Sequence, residues 1–224
     1  MLFLAVTLGF LVENQREHYV EHQREKQFMK SMINDLEQDV LNADINLERR
    51  IQTVDRCNAM YRQLDNPGYR DSTGLIYYNA RNVSAYYNFF VLTDGTLQQL
   101  KNSGGFRLIR KRAVVDSIQA YENLFTRFDR DQQLEQHQLS FYRDQMLKIF
   151  NVGVFEIILQ GSGVILMPEG NPPLFSNDKS IFNDFLMRVH FLKRNNIMNY
   201  NSMANMKERA KSLIALISKE YHLK

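Results

Sequence analysis

Two histidines one helical turn apart come nearest to a catalytic pattern in this sequence. His18-Tyr19-Val20-Glu21-His22 fits H-x-x-E-H, in which two histidines bind zinc beside a glutamate that acts as general base. The neighbouring residues are those of a solvated helix face: Glu13, Glu17, Gln23, Glu25 and Lys26. No other segment predicts the third ligand and enclosed cavity that catalytic zinc requires. A zinc hydrolase at His18 and His22 is therefore the last of three hypotheses, and we expect neither catalysis nor a metal or cofactor.

Other chemistries have little support in the sequence. Gly161-Ser162-Gly163 is a turn and not part of G-x-S-x-G, and neither glycine-rich phosphate loop is present. Cys57 is the single cysteine, so an internal disulfide is excluded, and its place on an apolar stripe predicts a buried, inert thiol. With 28 basic and 25 acidic residues, the net charge of +3 indicates a mixed surface and no nucleic-acid partner.

A basic cluster precedes the third predicted long helix: Arg107, Arg110, Lys111 and Arg112. Positive charge at a helix N-terminus opposes the helix dipole, so an acidic group is expected nearby, from Asp116 or from another segment. An anionic partner or a lipid headgroup would serve the same purpose. The alternative is a solvated basic turn.

Aromatic residues are concentrated in the second predicted helix, Leu75 to about Tyr87. The candidates for an interface or a ligand groove are Tyr77, Tyr78, Tyr86 and Tyr87. Tyrosine is enriched at protein interfaces, but packing against the long helices explains the same pattern. The groove interpretation gives the second functional hypothesis, a ligand-binding sensor bundle.

The first long helix, Met1 to Leu64, organises the chain. Its start, Met1–Val12, is uncharged and apolar. Twelve residues are fewer than the roughly 20 that cross a bilayer, and a signal peptide is a competitor without its basic start or cleavage site. We predict a truncated membrane anchor at 1–12 and a helical-bundle domain at 13–224; the alternative is a helix end buried in the protein's own core.

A seven-residue repeat follows the apolar start. One series is Ile33, Val40, Leu47, Val54 and Tyr61, and the second is Met29, Leu36, Ala43, Arg50, Cys57 and Leu64. This is the spacing of a bundle seam with a polar break at Arg50. The stripe of the third long helix, which ends near Phe150, is polar at Gln132 and Glu135. If the two helices pack antiparallel, Arg50 should meet Glu135 or Gln132, with Asp131 or Asp129 as the fallback.

The remaining segments are assigned from turn and cap signals. Asp65-Asn66-Pro67-Gly68 ends the first helix, and Thr93-Asp94 or Thr96 with Gln99 caps a short helix, Gly95–Ser103. Residues 154–167 predict a small β-hairpin, or a helix end plus one strand. Ser176 or Asn177 caps a last helix that Asn195-Asn196 could bend. The fold class is therefore all-α, a long-helix antiparallel bundle.

Several motifs resemble a bacterial family. Leu4-Ala5-Val6-Thr7-Leu8-Gly9-Phe10, Met32-Ile33-Asn34-Asp35-Leu36, the central run from Thr96 to Ile109, Asn171-Pro172-Pro173-Leu174 and Lys219-Glu220-Tyr221-His222-Leu223 are similar to those of uncharacterised membrane-anchored helical proteins of Bacteroidetes bacteria. The resemblance implies an anchored, helical protein, and it supplies no site residues because the family has no assigned activity. Its members carry a full apolar span behind a short basic tail, and this sequence lacks both.

The first functional hypothesis is a membrane-anchored helical scaffold or protein-interaction module without catalysis. Its expected partners are the membrane and either another protein or further copies of the chain. The expected location is the bacterial inner membrane, with one N-terminal span. Arg16, Arg24 and Lys26 after the span hint at a cytoplasmic body, whereas the resemblance implies the periplasmic one that we favour.

Overall fold

The computed structural model describes residues 2–85 and 89–223, and the protein is all-α. Six α-helices lie in these ranges: α1 (Leu2–Leu64), α2 (Thr73–Ala85), α3 (Gly95–Asn102), α4 (Arg112–Ile149), α5 (Val152–Ile158) and α6 (Lys179–Tyr221). Two 3₁₀ turns, Tyr69–Ser72 and Gly105–Leu108, precede α2 and α4. Helix α6 continues without interruption through Asn195 and Asn196.

The chain divides into two compact units that share its three long helices. Unit 1 consists of Met1–Ala43, Val91–Phe125 and Asn205–Lys224. Unit 2 consists of Asp44–Phe90 and Thr126–Ala204. Helix α1 passes residue 12, the predicted boundary between anchor and bundle, as one helix, and that boundary stays a prediction.

The buried face of α1 follows a heptad pattern of two series, one mostly apolar and one mostly polar. The predicted series from Met29 to Leu64 is buried, including Arg50. The other buried series is Met32, Asp39, Asn46, Thr53 and Met60. The predicted series from Ile33 to Tyr61 lies one residue further round the helix and is only partly buried or exposed. The polar residues at the buried positions are tolerated because they have hydrogen-bond partners.

In unit 2, α4 runs parallel to α1 and α6 runs antiparallel to it. Arg50 of α1 contacts Glu135 of α4, and further along both helices Met60 contacts Tyr142. Arg50 donates to Asn196 of α6, and Asn58, further along α1, accepts from Lys193, which comes earlier in α6. Helices α1 and α6 therefore run in opposite directions. The expected antiparallel pairing of the first and third long helices therefore differs from the structure.

In unit 1, the chain between α2 and α4 returns along α1, which is why the long helices α1 and α4 are parallel. The chain before α4 runs back along α1, because Asp39, Asp35 and Glu25 of α1 bind the backbone at Thr93, Thr96 and Arg110 in that order. Helix α4 then starts beside the beginning of α1's packed region. Gly104 turns the chain between α3 and the following 3₁₀ turn at φ 65°, a conformation that glycine adopts at little cost.

No helix among the described residues combines the length and the apolarity needed to cross a bilayer. The predicted single N-terminal span, and the inner-membrane location that depended on it, are therefore wrong. Helix α1 is long enough, but its apolar stretch ends at Val12, and Glu13 and Arg16 follow at once. The alternative of a helix end buried in the core also differs from the structure, because Phe3 and every side chain from 6 to 24 are exposed.

Residues 154–167 form no strand in the described chain. Most of the expected first strand belongs to α5, and the turn after it is closed by one antiparallel bridge between Leu159 and Ile165. Asn151 caps α5 by accepting a hydrogen bond from the Gly153 N–H. Asp178, rather than Ser176 or Asn177, accepts from the Ser180 N–H at the start of α6.

Candidate functional site

A buried polar layer in unit 2 is centred on Arg50, whose side chain is fully buried. Its Nη1 donates to Glu135 Oε2 at 2.7 Å, and its Nε donates to Asn46 Oδ1 at 2.8 Å. Glu135 also accepts from Asn199 Nδ2, and the guanidinium lies 5.9 Å from the ring centroid of Phe128. The ion pair thus sits inside a hydrogen-bonded network, as a buried charge requires.

Gln132, the other polar residue of the α4 seam, has a different partner. Its Oε1 accepts from the Phe90 N–H at 2.7 Å, and its Nε2 donates to the Phe90 carbonyl at 3.1 Å. The side-chain amide therefore pairs with a backbone segment that has no neighbouring strand. This gives both the N–H and the carbonyl of Phe90 a hydrogen-bond partner inside the protein.

In unit 1, three carboxylates of α1 likewise bind backbone groups of another segment, by accepting hydrogen bonds from backbone N–H groups. Asp39 accepts from Thr93 N at 2.8 Å, Asp35 from Thr96 N at 2.8 Å, and Glu25 from Arg110 N at 2.7 Å. Asp35 thereby caps α3 from another helix; the side chain of Asp94, the residue before α3, makes no cap bond. Tyrosine hydroxyls complete the set, from Tyr121 to Asp39 and from Tyr221 to Glu25. Through these contacts the three carboxylates hold the chain before α4 and the end of α6 against α1 in unit 1.

The pKa of Asp39 is raised above its ordinary value of 3.8, chiefly by burial, while bonds from Thr93 and Tyr121 act in the opposite direction. A raised folded-state pKa gives stability that is complete below the unfolded pKa and is lost as pH rises through the folded one. We therefore expect Asp39→Asn to remove part of the stability loss between acid and neutral pH. Urea denaturation at a series of pH values measures this. Asp55→Asn, at an exposed position on α1, is the control, and an unchanged pH dependence in Asp39→Asn would contradict the prediction.

Most of the basic cluster is paired within unit 1. Arg110 lies 3.7 Å from Glu21, Lys111 lies 3.4 Å from Glu220, and Arg112 lies 3.7 Å from Asp116. Arg107 is exposed in the 3₁₀ turn. The acidic groups expected near the start of α4 are thus present, from two other helices and from α4 itself.

The two histidines of the H-x-x-E-H pattern face solvent on α1. His18 Nδ1 lies 3.9 Å from Glu21, and His22 Nδ1 lies 3.3 Å from Glu25, which is itself buried. Among the described residues, no group of three or more histidine, cysteine or acidic side chains is arranged to hold a metal ion.

The aromatic candidates separate into different environments. Tyr77 is fully buried and its hydroxyl donates to the Pro173 carbonyl and accepts from the Asn151 N–H, so it is a packing residue. Tyr78 is partly buried, and Tyr86 and Tyr87 lie outside the described residues. Cys57 is buried, and burial raises the pKa of its thiol to about 12, which keeps it protonated.

An apolar groove in unit 2 is a feature that the sequence did not predict. Its cavity of about 530 Å³ lies beside α2, the end of α4 and α5. The lining residues are Arg81, Ser84, Arg143, Met146, Leu147, Phe150, Asn151, Val152, Phe155 and Phe175. The sequence contains one sign of this groove: Leu147 is an apolar residue outside the buried stripe of α4, and it lies close to the apolar run that begins at Val152.

The start of α1 is the second exposed apolar surface. We call residues 2–20 the N-terminal arm. Its large apolar side chains with exposed surface are Phe3, Val6, Leu8, Phe10, Leu11, Val12, Tyr19 and Val20. Soluble proteins seldom leave so many large apolar side chains of one helix in water without a binding role.

Comparison with known proteins gives no further information about these surfaces. The chain matches no protein-family model, no curated protein and no solved structure. The resemblance to helical proteins of Bacteroidetes stays a prediction, and the function must be argued from the surfaces themselves.

Proposed function

We propose that this protein is a helical scaffold and interaction module that associates with a second copy of itself through the N-terminal arm. The observation that carries the proposal is the exposure of Phe3 and of every side chain from 6 to 20 on a helix whose first part is apolar. An amphipathic helix gains most of its stability by burying its apolar side on a partner. Two such helices side by side give the simplest seam.

Charge supports a second copy as the partner. Residues 2–12 carry no charge, and residues 13–20 carry Glu13, Arg16 and Glu17. Two acidic groups and one basic group leave the arm at −1 with histidine neutral, so two copies repel each other little. Glu13 and Arg16 also pair within the arm, at 2.6 Å.

The test is the oligomeric state of the full chain. Sedimentation velocity over a wide concentration range should show a monomer–dimer equilibrium. Phe10→Glu, which places a charge at a residue 74% exposed, should shift this equilibrium towards monomer without loss of helicity. Leu134→Glu is the matched control on α4, at a residue 64% exposed outside the arm. A wild-type chain that stays monomeric, or equal effects of the two variants, would contradict the proposal.

A further inference from the structure

The groove of unit 2 has a closed apolar floor and exposed apolar walls. Phe150 and Met146 form the floor, and both are buried. Leu147, Val152 and Phe175 form the walls and are 71–78% exposed. The volume of about 530 Å³ falls within the roughly 300–1,000 Å³ of small-molecule sites.

Two guanidinium groups meet at one edge of this groove. Arg143 donates from Nε and Nη2 to the Ser84 carbonyl, at 3.2 Å and 2.5 Å. Arg81 Nη1 lies 3.4 Å from Ser84 Oγ. Both cations are thus held at the same residue, near the C-terminal end of α2, where positive charge interacts favourably with the helix dipole.

Among the described lining residues, none carries a negative charge. Apart from Arg81 and Arg143, the described residues that line the groove are apolar or neutral, with Ser84 and Asn151 as the polar members. Arginine binds carboxylates well, because it carries a permanent charge and several N–H donors. Since Arg143 uses Nε and Nη2 on the Ser84 carbonyl, Arg81 is the better placed of the two to donate to a carboxylate, and Arg143 adds positive charge beside it. An apolar cavity with positive charge at one edge is complementary to a molecule that is apolar along its length and anionic at one end.

We propose that this groove binds a small amphiphilic monocarboxylate. Its apolar chain or ring lies along Met146, Phe150 and Phe155, and its carboxylate faces Arg81 and Arg143. Burial of the apolar part supplies most of the affinity, and the arginines select the acid over a neutral molecule of the same length. The groove shares no residue with the N-terminal arm, and this proposal does not depend on the function proposed for the arm.

The test compares dodecanoate with dodecanol by isothermal titration calorimetry, with both probes below the concentrations at which they aggregate. The full-length chain should bind dodecanoate at least about tenfold more tightly than dodecanol, since one charge-assisted hydrogen bond contributes roughly that factor. Arg81→Gln should remove most of this preference and leave dodecanol binding unchanged. Leu147→Asp should weaken both probes, because it puts an acid into the exposed wall.

Two controls separate binding from folding. Arg112→Gln changes a side chain that is 92% exposed in unit 1 and should leave both affinities unchanged. Circular dichroism should show the same helicity in Arg81→Gln and Leu147→Asp as in the wild type. Equal affinity of the wild type for the two probes, absence of binding, or a preference that survives Arg81→Gln would each overturn the proposal.

Discussion

Replacing Glu135 with leucine should lower the free energy of unfolding by about 3–5 kcal/mol, because it leaves the fully buried Arg50 without its carboxylate. Asn46 and Asn196 still bind the guanidinium, but amide oxygens carry no net charge to balance it. Urea denaturation followed by circular dichroism measures the change. Glu208→Leu is the control, since Glu208 pairs with Lys211 on the exposed surface of α6 and should contribute less than about 1 kcal/mol.

The double variant Arg50→Met with Glu135→Leu should be more stable than Glu135→Leu alone. Removing both charges also removes the cost of burying them, and apolar side chains of similar volume fill the seam. A double variant that is no more stable than the single one would show that Arg50 does not need Glu135 in this layer.

Replacing Glu25 with alanine should cost about 2–4 kcal/mol in the free energy of unfolding, because two donors lose their acceptor. Glu25 is 1% exposed and binds the Arg110 N–H at 2.7 Å and the Tyr221 hydroxyl at 2.6 Å. One side chain of α1 thereby holds the segment just before α4 and the end of α6 in unit 1. The same denaturation measurement applies.

One milder variant and one control at neighbouring residues sharpen the prediction. Tyr221→Phe removes one donor and leaves Glu25 bound to Arg110, so it should cost less than Glu25→Ala. Glu21→Ala, one turn earlier, is the matched control, because Glu21 is exposed and lies 3.7 Å from the Arg110 guanidinium. If Glu21→Ala and Glu25→Ala destabilise the protein equally, the buried carboxylate is not what joins these segments.

The helices were predictable because their signals are local. The run from Met29 to Leu64 shows its period directly, and the turn at Asp65-Asn66-Pro67-Gly68 marks the end of α1. The second half of the seam was not predictable in the same way. Asp39, Asn46 and Thr53 are polar, and the partners that make the burial of Asp39 tolerable, Thr93 and Tyr121, lie more than fifty residues away.

The orientation of α4 could not be read from the heptads. A polar residue in the seam of each of two helices predicts that these residues lie at the same level of the bundle. It does not predict whether the two helices run parallel or antiparallel. The polar breaks therefore predict the contact between Arg50 and Glu135, which the structure shows, but not the parallel direction of the two helices. The deciding information lies in the return of the chain along α1, held by Asp39, Asp35 and Glu25.

The exposed surfaces were predictable only in part. Met1–Val12 is uncharged along its whole length and mostly apolar, but the stretch stops at Glu13 and is too short to cross a bilayer. The groove depends on α2, α4 and α5 meeting around Phe150, and no spacing within one element predicts such a meeting.

Hydrogen exchange of the backbone amides at several protein concentrations tests the proposed self-association most directly. Amides of residues 6–20 should exchange quickly in dilute protein and more slowly as the concentration rises, because a second copy then covers the arm. Amides of residues 29–64, which pack within the chain, should show protection that does not change with concentration. Arm amides whose protection is the same at every concentration would contradict the account.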